Sequence, residues 1–174
     1  MTPRVILIGL PGSGKTTTGR RLARILGVDF VDTDDLVERA TARSIREIFA
    51  ERGEGAFRAA EFSVVQNTLT QFDGVLALGG GALTWAPTAA ALSATAAPIV
   101  LLRAGLATLV ARVGDGQDRP LLAADPVAGL AELEAARAWL YDESATFSVE
   151  TDRRTPRQVA AQIAARLNER ACST

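Results

Sequence analysis

The residues Gly9-Leu10-Pro11-Gly12-Ser13-Gly14-Lys15-Thr16 fill every fixed position of the pattern G-x-x-x-x-G-K-[ST], directly after the apolar run Val5-Ile6-Leu7-Ile8. These residue types suit one task. Glycines let successive backbone N–H groups turn inward around a phosphate, a lysine adds a mobile point charge, and a hydroxyl can complete a Mg²⁺ shell. A strand running into the loop and a helix leaving it give the pattern its required context, so the expected ligand is a nucleoside triphosphate. Lys15 is the only lysine among 19 basic residues, the rest being arginine. The position is one where a compact ammonium and a planar guanidinium differ in what they can do.

Carboxylates come next. A phosphate loop is commonly accompanied by an apolar strand ending in Asp, which helps hold Mg²⁺. Here the run Val75-Leu76-Ala77-Leu78 ends in Gly79-Gly80-Gly81, three residues able to expose backbone N–H groups. Asp32, at the end of the short apolar stretch Phe30-Val31, is then the best metal partner for Thr16, through water; a helix cap is its alternative role. Asp34 is the candidate to orient or deprotonate an attacking hydroxyl, because the chain contains no histidine; it too could be a cap. Three arginines stand apart: Arg58 with Glu61 three residues on, Arg119 in a polar stretch, and Arg137 close to Trp139 and Tyr141. A guanidinium suits a carboxylate or phosphate, although each taken singly could be an ordinary surface charge.

These groups need a frame. The 174 residues suffice for one α/β domain with a proper core. Apolar runs at 5–8, 30–31, 75–78, 99–102 and 147–149 alternate with helical patterns at 15–26, 35–41, 44 to the glycines at 53 and 55, 56–71, 87–94, 106–113, 127–141 and 159–167. The alternation predicts a three-layer α/β/α fold around a five-stranded parallel sheet. Leu22, Ala23, Ile25 and Leu26 are expected on the inner face of the first helix, Ser44 and Glu47 in a capping box, and Gly53 and Gly55 as a helix break. Gly114 to Pro126, polar and without a periodic apolar face, reads as a lid.

A net charge of −1 and a sequence pI near 5.6 provide no broad basic field, which argues against nucleic acid or an anionic membrane as partner. No apolar run reaches membrane-spanning length, no signal-type segment opens the chain, and the single cysteine, Cys172, cannot staple the fold. The expectation is a cytoplasmic, monomeric protein whose partner is a small molecule.

Taken together, the chain resembles the shikimate kinases, of the nucleoside monophosphate kinase-like group. The resemblance rests on GLPGSGKT at 9–16, DTD at 32–34, FRAAE at 57–61, GGGA at 79–82, RPLL at 119–122 and RAWLYDESA at 137–145, in family order and spacing. It implies one kinase domain over 1–174, with a substrate-binding region at about 33–61 and a lid at about 112–126, and ATP and Mg²⁺ as cofactors. Gly12, Ser13, Gly14, Lys15, Thr16 and Thr17 would serve the phosphates, and Thr16 and Asp32 the metal. Asp34 would bind and orient the reacting hydroxyl of shikimate. Arg58, Arg137, Gly80 and Gly81 would hold that substrate, the two arginines clamping its carboxylate. Arg119 would close onto the transferring phosphate, making Asp34, Lys15 and Arg119 the catalytic set. Arg112, Arg154 and Pro156 would lie around the adenine, and Phe49 and Phe57 under the shikimate ring, where both could equally be plain core. Trp139 and the acidic, glycine-containing stretch 114–118 depart from the family pattern. A gluconate kinase and a nucleotide-binding module without turnover are the competing readings.

Overall fold

The computed structural model describes residues 1–114 and 125–171. Five strands, β1 (Val5–Ile8), β2 (Asp29–Asp32), β3 (Gly74–Ala77), β4 (Ile99–Arg103) and β5 (Phe147–Glu150), form one sheet in the order β2-β3-β1-β4-β5, every pair parallel. Seven helices connect them among the described residues: α1 (Lys15–Leu26), α2 (Thr33–Thr41), α3 (Ile45–Gln71), α4 (Ala86–Ser93), α5 (Leu106–Val113), α6 (Pro126–Ser144) and α7 (Pro156–Ala171).

Alternation along the strands divides the core in two. Ile6, Ile8, Leu76, Leu78, Ile99 and Leu101 face one side, where α3, α4, α5 and α6 supply Val65, Leu92, Leu109 and Leu130. Val5, Leu7, Val75, Val100 and Leu102 face the other, packed by Leu22 of α1 and Val159 and Ile163 of α7. Both faces are covered, which is why β1, β3 and β4 read as unbroken apolar runs rather than alternating ones. The expected three-layer α/β/α architecture and its five-stranded parallel sheet are present.

Local details differ in three places. Ile25 is 50% exposed: Thr18, Gly19, Leu22 and Ala23 fill the buried stripe of α1, and Ile25 lies beside it. The expected helix break falls at Gly53 and not at Gly55: a φ of 78° and ψ of 172° at Gly53 leave the helical region and kink α3 into two helical halves. The helix placed at 35–41 begins two residues earlier, because the Asp32 side chain caps it by accepting from the Asp34 N–H (3.2 Å). The predicted capping box is formed, Ser44 Oγ accepting from the Glu47 N–H (3.3 Å) and Glu47 Oε2 accepting from the Ser44 N–H (2.7 Å). Trp139, on α6, is 59% exposed and stands outside the core.

Candidate active site

The sheet order places three strand ends side by side. β2 delivers Asp32-Thr33-Asp34, β3 delivers Gly79-Gly80-Gly81, and β1 delivers the phosphate loop, all at the carboxyl edge where open α/β sheets bind ligands.

The loop is built by local backbone conformation. Gly12 and Gly14 have φ of 81° and 94°, in the left-handed region where a side chain is strained, and Gly14 is the N-cap of α1. The first-turn N–H groups of α1 and the positive end of its dipole are thereby turned toward the loop interior. Lys15 Nζ donates to the carbonyls of Gly9 (2.7 Å) and Leu10 (3.1 Å), lying back across the loop that it would share with a phosphate.

Beside it, Thr16 Oγ1 donates to Asp32 Oδ2 at 2.7 Å. Asp32 therefore caps α2 with one oxygen and meets the loop threonine with the other. No group of three or more Asp, Glu, Cys or His that could hold a metal occurs among the described residues. One hydroxyl backed by one carboxylate is nevertheless a donor set that fits Mg²⁺, which keeps most of its waters and takes phosphate oxygens as ligands.

The three glycines form a bare stretch of backbone beside the phosphate loop. A Cβ at Gly79 would fall 2.7 Å from Asp34 Oδ1 and against Glu61 Oε1; one at Gly80 would fall 3.0 Å from the Pro11 ring; one at Gly81 would collide with the Arg58 guanidinium. The Gly79 N–H is held by Thr33 Oγ1 (2.8 Å), fixing β3's end to β2's. The Gly80 carbonyl accepts from Arg137 Nη1 (2.9 Å) and from the Tyr141 hydroxyl. Asp34, Arg58, Arg137 and the phosphate loop thus meet at one bare stretch of backbone.

Arg58 is buried and held on its own helix, by Glu61 Oε2 at 2.7 Å and by Glu54 Oε1 at 3.1–3.2 Å. Its guanidinium lies over the Phe57 ring, 5.1 Å from the centroid, and Phe49 stacks at 5.0 Å behind. Glu61 is wholly buried, and burial pushes its carboxyl up to about 7 against the opposing pull of Arg58, with Asp34 adding to the rise. Burial likewise pushes the Tyr141 phenol up to about 12, so it remains a hydrogen-bond donor at physiological pH.

On the other flank, Arg112 of α5 donates to Thr151 Oγ1 (2.9 Å), Thr151 O (3.0 Å) and Gly12 O (3.3 Å), tying the connection after β5 to the phosphate loop. Arg154 follows in the same connection, paired to Gln162, and Pro156 opens α7. Arg119 and most of the 112–126 segment lie outside the described residues, as does Cys172. Four contributors escape a reading of the sequence: Glu54, Thr33, Thr151 and the Tyr141 hydroxyl. Glu54 and Tyr141 have a local signal, their i,i+4 spacing to Arg58 and Arg137.

A parallel sheet of this order with a glycine-built phosphate cradle after its central strand defines a P-loop nucleotide-binding fold. Comparison with known proteins narrows the class. The family model for "Shikimate kinase" matches residues 11–168. The chain is 48% identical to the shikimate kinase of Mycobacterium avium (strain 104) over 168 residues, 96% of this chain and 94% of the relative. It is 48% identical to that of Salinispora arenicola, covering 96% and 99%. The solved structure of shikimate kinase from Acinetobacter baumannii in complex with shikimate matches with a TM-score of 0.92 at 34% identity, covering 98% of this chain and 94% of that one. The chain belongs to the shikimate kinase family, and is a kinase.

Proposed function

We propose that this enzyme transfers the γ-phosphoryl group of ATP to the 3-hydroxyl of shikimate, giving shikimate 3-phosphate and ADP. The observation that carries the reading is the convergence of Asp34, Arg58 and Arg137 on Gly79-Gly80-Gly81, with Pro11 of the phosphate loop against Gly80. A carboxylate, two guanidiniums and a phosphate cradle around bare backbone suit a small anionic polyol beside a triphosphate.

In this reading Arg58 and Arg137 grip the substrate carboxylate, with the Gly80–Gly81 backbone as floor and Phe49 and Phe57 as the apolar wall. Asp34 accepts the hydrogen bond of the attacking hydroxyl and takes its proton as the O–P bond forms and the bond from the γ-phosphorus to ADP breaks. Lys15 and the N–H groups of Gly12 to Thr17 hold the β- and γ-phosphates. Thr16 would hold Mg²⁺, and Asp32 would support it through a water. Mg²⁺, when bound, neutralises phosphate charge that would otherwise repel the nucleophile. Arg112, Arg154 and Pro156 bound the adenine, and Arg119, in the 112–126 lid, meets the transferring phosphate and excludes water. Most of the rate enhancement then comes from positioning and charge neutralisation. In this reading the described members of the set come from one chain, and the enzyme acts as a monomer in the cytoplasm.

An ATP-coupled assay over shikimate, gluconate and a nucleoside monophosphate tests the substrate: turnover on shikimate alone is expected, and preference for either other compound overturns the reading. Asp34→Asn should reduce kcat by at least about 10²-fold, the low end of what a positioned acid–base group contributes, while ATP binding survives. Near-normal turnover would remove Asp34 from this role.

A further inference from the structure

The clamp arginine is itself held, by a tyrosine on its own helix. Tyr141 lies four residues after Arg137 on α6, so the two side chains leave the same face of the helix. Both donate to one acceptor, the carbonyl of Gly80. Tyr141 is 5% exposed, so its hydroxyl meets this carbonyl away from solvent. Tyr141 belongs to the same buried apolar cluster as Leu130 and borders a cavity of about 290 Å³ with Leu10, Leu109 and Ala138.

A guanidinium has five N–H donors in a fixed fork, and it is useful as a clamp only if the fork faces the ligand. One donor on Gly80 leaves the plane free to swing about that single bond. Holding the acceptor itself narrows that swing, because the direction of the Arg137 bond follows the direction of the carbonyl. The Tyr141 O–H also fixes the Gly80 carbonyl, and with it the direction of the peptide that runs into Gly81 beneath Arg58. We infer that Tyr141 is a positioning residue for shikimate, orienting the Arg137 guanidinium and the Gly80–Gly81 backbone toward the substrate carboxylate. The inference rests on the reading of Arg137 as a carboxylate clamp.

Tyr141→Phe removes only the hydroxyl and keeps the ring packing. It should raise the KM for shikimate up to about tenfold, leave the KM for ATP within about twofold, lower kcat less than about threefold, and leave Tm nearly unchanged, as expected for losing one buried hydrogen bond whose acceptor keeps its Arg137 partner. In an Arg137→Ala background the same substitution should raise the shikimate KM less than about twofold further, since the two residues act as one unit. With the methyl ester of shikimate, which lacks the anionic group, wild type and Tyr141→Phe should behave alike. A similar rise in both KM values with a fall in Tm would mark a merely structural tyrosine and overturn the inference. Equal effects of Tyr141→Phe with and without Arg137, or on acid and ester, would also overturn it. If Arg137→Ala leaves the shikimate KM unchanged, the clamp reading itself fails; if it raises that KM while Tyr141→Phe matches wild type, only the role of Tyr141 falls.

Discussion

A methyl group at position 81 has nowhere to go without moving Arg58. The guanidinium there is the far end of a flexible side chain, but Glu54, Glu61 and the Phe57 ring hold it, so yielding means leaving the position proposed for the clamp. Gly81→Ala should therefore raise the shikimate KM by about tenfold or more, the worth of one charge-assisted contact, with the ATP KM little changed. Steady-state kinetics with each substrate varied in turn checks this, and a parallel rise in both KM values would contradict it. Asp32 offers a related lesson: a carboxylate has two oxygens, and here one caps α2 while the other meets Thr16.

At the scale of elements, α3 carries the heaviest demand. Its first half brings Ile48 and Phe49 onto Val37 and Phe57, while its second half packs Val65 and Leu69 on the sheet. One straight axis does not serve both, and the bend falls at Gly53. The backbone there, φ 78° and ψ 172°, belongs to a region that is essentially confined to glycine, and other residues incur about 1–3 kcal/mol. No atom lies within 4 Å of a Cβ built at this position, so the cost of Gly53→Ala is conformational rather than steric. Thermal denaturation should show a loss of roughly 2–4 °C per kcal/mol. An unchanged or higher Tm would mean that α3 straightens at no cost to the segment under the substrate site.

For the whole molecule, the buried ion pair couples folding to pH. Glu61 has an ordinary value of 4.5 and is pushed up to about 7 in the folded protein. The native state thus holds this proton more tightly than the unfolded chain does. Its contribution to stability is complete below about pH 4.5 and is lost as pH rises through 7. The same ionisation completes the Glu61–Arg58 pair, so the carboxylate that orients the clamp is maintained at some cost in stability. Comparing Tm for wild type and Glu61→Gln across roughly pH 5 to 8 should show the wild type losing ground steadily to about pH 7 and then running level. Parallel curves throughout would remove Glu61 as the source.

Much of this is legible in the amino-acid sequence alone. The phosphate loop, the capping box at Ser44 and the strand runs depend on residues close in sequence: left-handed backbone at Gly12 and Gly14, side-chain reach over one turn, burial of a short apolar stretch on both faces. Family resemblance across the motifs names the substrate. The exposure of Ile25 is not legible in the same way, because periodicity gives a helix an apolar face without saying how wide a stripe its neighbours will cover. What only the tertiary structure decides is adjacency. That β3 lies between β2 and β1, so that Gly79-Gly80-Gly81 sits beside both Asp34 and Pro11, follows from strand order and not from any local signal. The meeting of Arg58 from α3 with Arg137 and Tyr141 from α6 on that backbone has the same origin. Local sequence sets the conformation of each piece, whereas contacts between residues roughly 20 to 80 positions apart are set by how the two faces of the sheet are covered.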